Sequence, residues 1–160
     1  MAFTLEDVLA GVRASRAFFL KHLEGLREDQ WDWKPYPECK SIRETLAHLI
    51  VNDRAALASL ESAGEPDYDG LRAEVAAETG NDLDRLLAAL RESHARLLGT
   101  IEARYAGAPL DTEIKIWGSP MKLGRGVAYL SSEDFYHAGQ VAFIRMATDP
   151  SWDYYGFIYG

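Results

Sequence analysis

The stretches SIRETLAHLI (41–50) and SSEDFYHAGQ (131–140) decide how this chain is read. Each carries a glutamate and a histidine at spacing i, i+4: Glu44 with His48, and Glu133 with His137. Residues four apart share one helix face, with Cβ atoms about 5–6 Å apart. A carboxylate and an imidazole placed that way can converge on one cation. Two such faces turned inward predict a metal site inside a helical bundle, where such sites are commonly built.

The flanking sequence supplies the helices. Ser41 and Glu44 have capping-box spacing, and Ile42, Leu46, Leu49, Ile50 and Leu57 give the second helix its apolar face. Upstream, Thr4 and Asp7 open a first helix whose apolar residues recur at helical spacing from Leu5 to about Leu26. Pro35 and Pro37 then force an extended stretch, because a residue before proline avoids the α region. Downstream, EPDYDG (65–70) reads as a loop and LRAEVAAET (71–79) as a short helical piece. Asn81 or Asp82 caps a third long helix running to about Tyr105. From Asp111 to Gly126 the pattern changes: TEIKIW alternates weakly and GSP is a turn, so a β-hairpin and an irregular crossover both fit. A fourth helix is expected from about Val127 to Ala147, followed by an aromatic tail, SWDYYGFIYG (151–160), that packs on the body. The expected fold is all-α, one domain over residues 1–160: a four-helix bundle with long crossover connections and room for a short hairpin between the third and fourth helices.

Composition excludes several classes of function. A net charge of −8 without a Lys/Arg cluster disfavours nucleic acid as a partner, because phosphates need a basic footprint. No stretch of about 20 apolar residues offers a membrane span, and the start of the chain lacks the basic and apolar regions of a signal peptide. The single cysteine, Cys39, forms no intramolecular disulfide, which fits a cytoplasmic protein.

Among the four histidines, His22 and His94 have no helix-face partner and read as structural. His48 and His137 sit beside the inward stripes, where an imidazole needs a partner. A shared metal and hydrogen bonds to acids both meet that need. Gln140 and Asn52, each about one turn beyond a histidine, suit either substrate orientation or backbone satisfaction. Cys39, two residues before a helix start, has a position that favours thiolate, although a lone cysteine near prolines is more often incidental. Gly124-Arg125-Gly126 before the fourth helix suits an anion or a plain turn.

Ala47–Leu49 on the second helix, His137–Val141 (HAGQV) on the fourth and the W-x-W-x-P-x-P run from Trp31 to Pro37 resemble the DinB/YfiT-like superfamily. So does the order of elements over nearly the whole chain. The resemblance implies a bacterial four-helix bundle holding a divalent metal through three side chains. The family pattern has one histidine on helix two and an H-x-x-x-H-x-G-Q pair on helix four. His48 matches the first and His137 the last, while Glu133 stands at the middle position. The implied ligands are therefore His48, Glu133 and His137. Two imidazoles and a carboxylate suit Zn²⁺ with an open position, and equally Fe²⁺, Ni²⁺ or Mn²⁺. Glu44 is left as helix cap partner of Ser41, or as a group behind the ligands. For some members the resemblance implies S-transfer from a low-molecular-weight thiol, or hydrolase-like chemistry, through a metal-activated thiolate or water. The alternative is a stress-response protein that binds metal or a small ligand without catalysis. A homodimer is also expected, from the apolar surface of Trp152, Tyr154, Tyr155, Phe157 and Tyr159. The competing expectation is that this tail closes one end of the cavity.

Overall fold

The computed structural model describes residues 3–62 and 64–160. Four long helices form the body: α1 (Leu5–Leu23), α2 (Ile42–Glu61), α4 (Leu83–Arg104) and α6 (Ser131–Thr148). The shorter α3 (Tyr68–Thr79) fills the second connection. A hairpin of β1 (Glu113–Ile116) and β2 (Ser119–Lys122), followed by α5 (Leu123–Tyr129), fills the third. The all-α bundle expected from the sequence is the fold found. Helix α2 packs mainly on α4, α1 packs mainly on α6, and α2 approaches α6. No helix among the described residues is long and apolar enough to cross a membrane.

The helix starts follow their capping residues. Thr4 and Asp7 form a full capping box, as do Ser41 and Glu44, and Asp82 caps α4 through the Arg85 amide. Some boundaries differ from expectation for local reasons. Helix α1 stops at Leu23 rather than near Leu26 because Gly25 adopts φ 69°, a left-handed conformation that ends a helix. The expected fourth helix is divided at Leu130, whose amide takes the shorter step to the Val127 carbonyl (3.1 Å). The Ser132 hydroxyl donates to the Tyr129 carbonyl (2.6 Å) at the same joint.

The hairpin reading of 111–126 holds, but its turn is Trp117-Gly118 rather than GSP. Ile116 pairs with Ser119, leaving a two-residue loop with positive φ at both positions (51° and 78°). That is the loop whose twist matches paired strands. Trp117 is an unusual residue for positive φ. It is held there by its indole N–H, which donates to the Asn52 carbonyl on α2 (2.8 Å).

The interior is divided into layers. One apolar cluster gathers Phe19, Trp31, Leu46, Leu49, Leu90 and Val141, and the other gathers Val12, Ala56, Leu57, Leu97, Ile101 and Leu130. Between these positions on each long helix lies a buried polar group: Arg16 on α1, Asp53 on α2, Ser93 and His94 on α4, Asp134 on α6. Arg16 donates to Asp53 through both terminal nitrogens (3.0 and 3.1 Å) and to Asp134 through Nε (2.7 Å). Burial pushes the carboxyl of Asp53 up, but the Arg16 and His94 neighbours outweigh it and hold Asp53 below the usual range.

The tail packs on the body, as expected. In α7 (Tyr154–Tyr159) and just before it, Phe157 and Trp152 stack on the Arg145 guanidinium at 4.7 and 4.4 Å. Tyr154 meets His22 at 5.8 Å, so the tail covers one end of α1 and α6.

Candidate metal centre

His48 on α2 and Glu133 and His137 on α6 meet where these two helices approach. Their candidate ligand atoms all lie within 4.8 Å of one another. Glu133 Oε2 is 3.4 Å from His48 Nε2 and 3.6 Å from His137 Nε2. Ligands at 2.0–2.2 Å from one tetrahedral ion stand roughly 3.3 Å apart, so these separations fit a common cation. His137 is buried, whereas His48 and Glu133 are half-buried, so the group lies at the wall of the bundle.

The electrostatics suit a cation too. The imidazoles of His137 and then His48 beside it hold the Glu133 carboxyl down at about 2, against an ordinary 4.5, so it is anionic at neutral pH. The Gln140 amide oxygen lies 2.6 Å from His137 Nδ1 and accepts a hydrogen bond from its N–H. That fixes the tautomer and leaves a lone pair on Nε2. His137 Nε2 is buried without a hydrogen-bond partner among the described residues. A buried, unpaired acceptor costs about 1–3 kcal/mol, and a bound cation would remove that cost.

A cavity of about 810 Å³ opens beside the group. Tyr36, Tyr136 and Phe143 give it an aromatic wall, and Cys39, Lys40 and Gln140 give it polar groups. The Pro35–Lys40 side of this wall belongs to the proline-ruled stretch before α2, which Trp31 anchors in the core. None of the tail residues lines the cavity, so the tail is no lid to it.

Other candidates sort themselves by position. Glu44 accepts from the Ser41 amide (2.8 Å) and from Lys34 (2.7 Å), and lies outside the ligand group. His22 is taken by the Phe18 carbonyl (2.8 Å), and His94 faces Asp53 at 3.9 Å inside the ionic layer. The Gly124 amide already donates to Leu110 (2.8 Å), and Gly126 lies tight against Ile114, Ile116 and Met121, so close packing explains both glycines. Cys39 is half-buried in the cavity wall.

Sequence reasoning passed over two features. Arg16, Asp53 and Asp134 are buried charges that no local pattern in the sequence marks. Asn52, which the sequence suits to substrate orientation or backbone satisfaction, does not stand out there as a neighbour of Glu133. Its amide nitrogen lies 2.7 Å from Glu133 Oε2 and 3.2 Å from His48 Nε2, inside the group itself.

A helical bundle with two imidazoles and an anionic carboxylate converging between two helices could hold a metal ion, since such sites are built between facing helices. The family model described as the DinB superfamily matches residues 12–141, and the chain belongs to that superfamily. The match takes in all three candidate ligands. No curated protein matches the chain.

Proposed function

We propose that the protein binds one divalent cation through His48, Glu133 and His137 and uses it in thiol-dependent S-transfer or hydrolase-like chemistry. The observation that carries the metal is the buried, unpartnered Nε2 of His137 standing 3.6 Å from an anionic carboxylate. When bound, a cation there supplies Lewis acidity that lowers the pKa of a thiol or water entering from the cavity. Gln140 keeps the His137 proton on Nδ1 and out of the centre. Tyr36, Tyr136 and Phe143 present aromatic surface to an apolar electrophile, and Lys40 offers a positive charge to an acidic group on either reactant. The test is turnover of a chromogenic electrophile with a small thiol, by metal-loaded protein and by His48→Ala. Turnover that needs the thiol, the metal and His48 supports the reading. Stoichiometric metal without turnover across thiols and electrophiles leaves the binding-protein alternative in its place.

We also propose that the chain pairs with a second copy, through α6 rather than through the tail. Phe135, Tyr136, Gly139, Phe143 and Met146 are exposed and fall within about 100° of the helix circumference. Phe135 and Phe143 lie four residues either side of Gly139, so antiparallel α6 helices crossing there set each Phe135 against a partner's Phe143. Half-exposed side chains of this size offer roughly 100 Å² each. With Tyr36 they offer roughly 500 Å², the apolar centre of an interface whose standard size is about 800 Å² per partner. Tyr136 and Phe143 also line the cavity, so the second copy would complete its wall.

A further inference from the structure

We propose that Asn52 is a fourth protein ligand of the metal centre, its carboxamide bracing Glu133 in the metal-free protein and turning its oxygen to the cation when one binds. The inference rests on the metal reading above and goes beyond its three ligands. Its basis is position. Asn52 Nδ2 lies 2.7 Å from Glu133 Oε2 and 3.2 Å from His48 Nε2, while those two atoms are 3.4 Å apart. The end of the Asn52 amide therefore stands from two ligand atoms much as they stand from each other. Such spacing, about 3.3 Å, is that of neighbouring vertices around one ion.

A carboxamide suits the two roles because its two ends match in shape and differ in chemistry. The NH₂ group donates to an anionic carboxylate, as seen at Glu133. The oxygen is a ligand for divalent cations, like other carbonyl oxygens. Half a turn about the Cβ–Cγ bond exchanges the ends without moving the backbone. The backbone is held from two directions. The Asn52 carbonyl accepts from Trp117 Nε1 (2.8 Å). The next residue, Asp53, is bound by Arg16 and by the Ser93 hydroxyl (3.0 Å). His48 lies one helical turn before it on the same face. So the root is fixed and the amide is the part free to turn.

The consequence is a centre of two imidazoles, one carboxylate and one neutral oxygen, with the cavity side left for a thiol or water. The hairpin is pinned to α2 at the same residue, Asn52. Trp117 adopts an unusual positive φ in a loop whose indole reaches that one carbonyl.

The experiment uses the full chain, without a polyhistidine tag, as wild type, Asn52→Ala and Asn52→Asp. Zn²⁺ affinity is read by competition with a chromophoric chelator, and the ligand field by the visible spectrum of the Co²⁺-loaded protein. Asn52→Ala is expected to weaken Zn²⁺ by at least tenfold, the scale on which supporting groups already act. It should also change the Co²⁺ band positions and intensity. Asn52→Asp keeps the shape and places an anionic oxygen at the same point, so it should bind Zn²⁺ at least as tightly as wild type. An unchanged Co²⁺ spectrum in Asn52→Ala, or weaker binding by Asn52→Asp than by wild type, overturns the proposal while leaving the three-ligand reading in place. Wild type that takes up neither ion overturns both.

Discussion

Asp134 accepts a 2.7 Å hydrogen bond from Arg16 Nε inside the bundle, one residue along α6 from Glu133. Successive helical residues point about 100° apart, so fixing Asp134 inward turns Glu133 toward α2. The other edge of the Arg16 guanidinium binds Asp53, the residue after Asn52. One buried cation thus sets the rotation of both helices that carry the candidate ligands. Its hydration is lost, and the two carboxylates are what offset that loss.

Removing one partner should therefore be costly. Asp134→Ala is expected to destabilise the fold by about 3–5 kcal/mol, because a buried guanidinium loses half its compensation. Urea unfolding of the metal-free protein measures it. A change below about 1 kcal/mol would show that the ionic layer does not hold the helices.

Gln140→Leu is expected to leave the fold intact and to weaken metal binding by about 10–100-fold, since Nδ1 of His137 loses the acceptor that fixes its tautomer. Chelator competition reads the affinity, and circular dichroism checks the fold. Equal affinity in the two proteins removes Gln140 from the account.

At Glu133, substitution should separate charge from ligation. Glu133→His restores a three-imidazole set and is expected to keep the metal. Glu133→Ala leaves two of the three ligands and should weaken binding at least tenfold. If alanine binds as tightly as wild type, the carboxylate is not a ligand.

Acid should expose the same carboxylate without any metal. The folded-state value of Glu133, about 2, lies below its ordinary 4.5. The stability it contributes is fully present above 4.5 and is lost as the pH falls through about 2. Between these values the metal-free wild type should lose more stability than Glu133→Gln does, judged by urea midpoints at pH 5 and pH 3. Parallel losses in the two proteins would contradict the depressed value.

The pairing proposal has its own readout. Light scattering of the wild type over a range of concentrations should give twice the mass of one chain, and Phe143→Glu should return the single-chain mass. A single-chain mass for wild type throughout refutes pairing, and a dimer that survives Phe143→Glu refutes this face.

Much of this architecture could be read before the structure was in view. The capping boxes at Thr4 and Ser41 and the spacing of leucines on α2 and α4 depend on neighbours in sequence, and these elements fall where expected. Spacing also brought out the pairs Glu44 with His48 and Glu133 with His137, because i, i+4 is a contact on any helix, and the family resemblance narrowed them to His48, Glu133 and His137. The Leu130 break and the Trp117-Gly118 turn depend on choices among competing hydrogen bonds, which composition does not reveal. The Arg16 layer and the place of Asn52 were illegible for a deeper reason. Their partners lie 118 residues away (Arg16 with Asp134) and 81 residues away (Asn52 with Glu133), and no local pattern marks a pairing that only the packed helices create.

The central claim is that His48, Glu133 and His137 hold a cation, and metal content tests it most directly. Elemental analysis of untagged protein, freshly purified without chelator, should find close to one divalent ion per chain in the wild type. His48→Ala and His137→Ala, each folded by circular dichroism, should lose most of it. Wild type devoid of metal and unable to take up Zn²⁺, Mn²⁺, Ni²⁺ or Fe²⁺, or equal occupancy in all three proteins, would contradict the account.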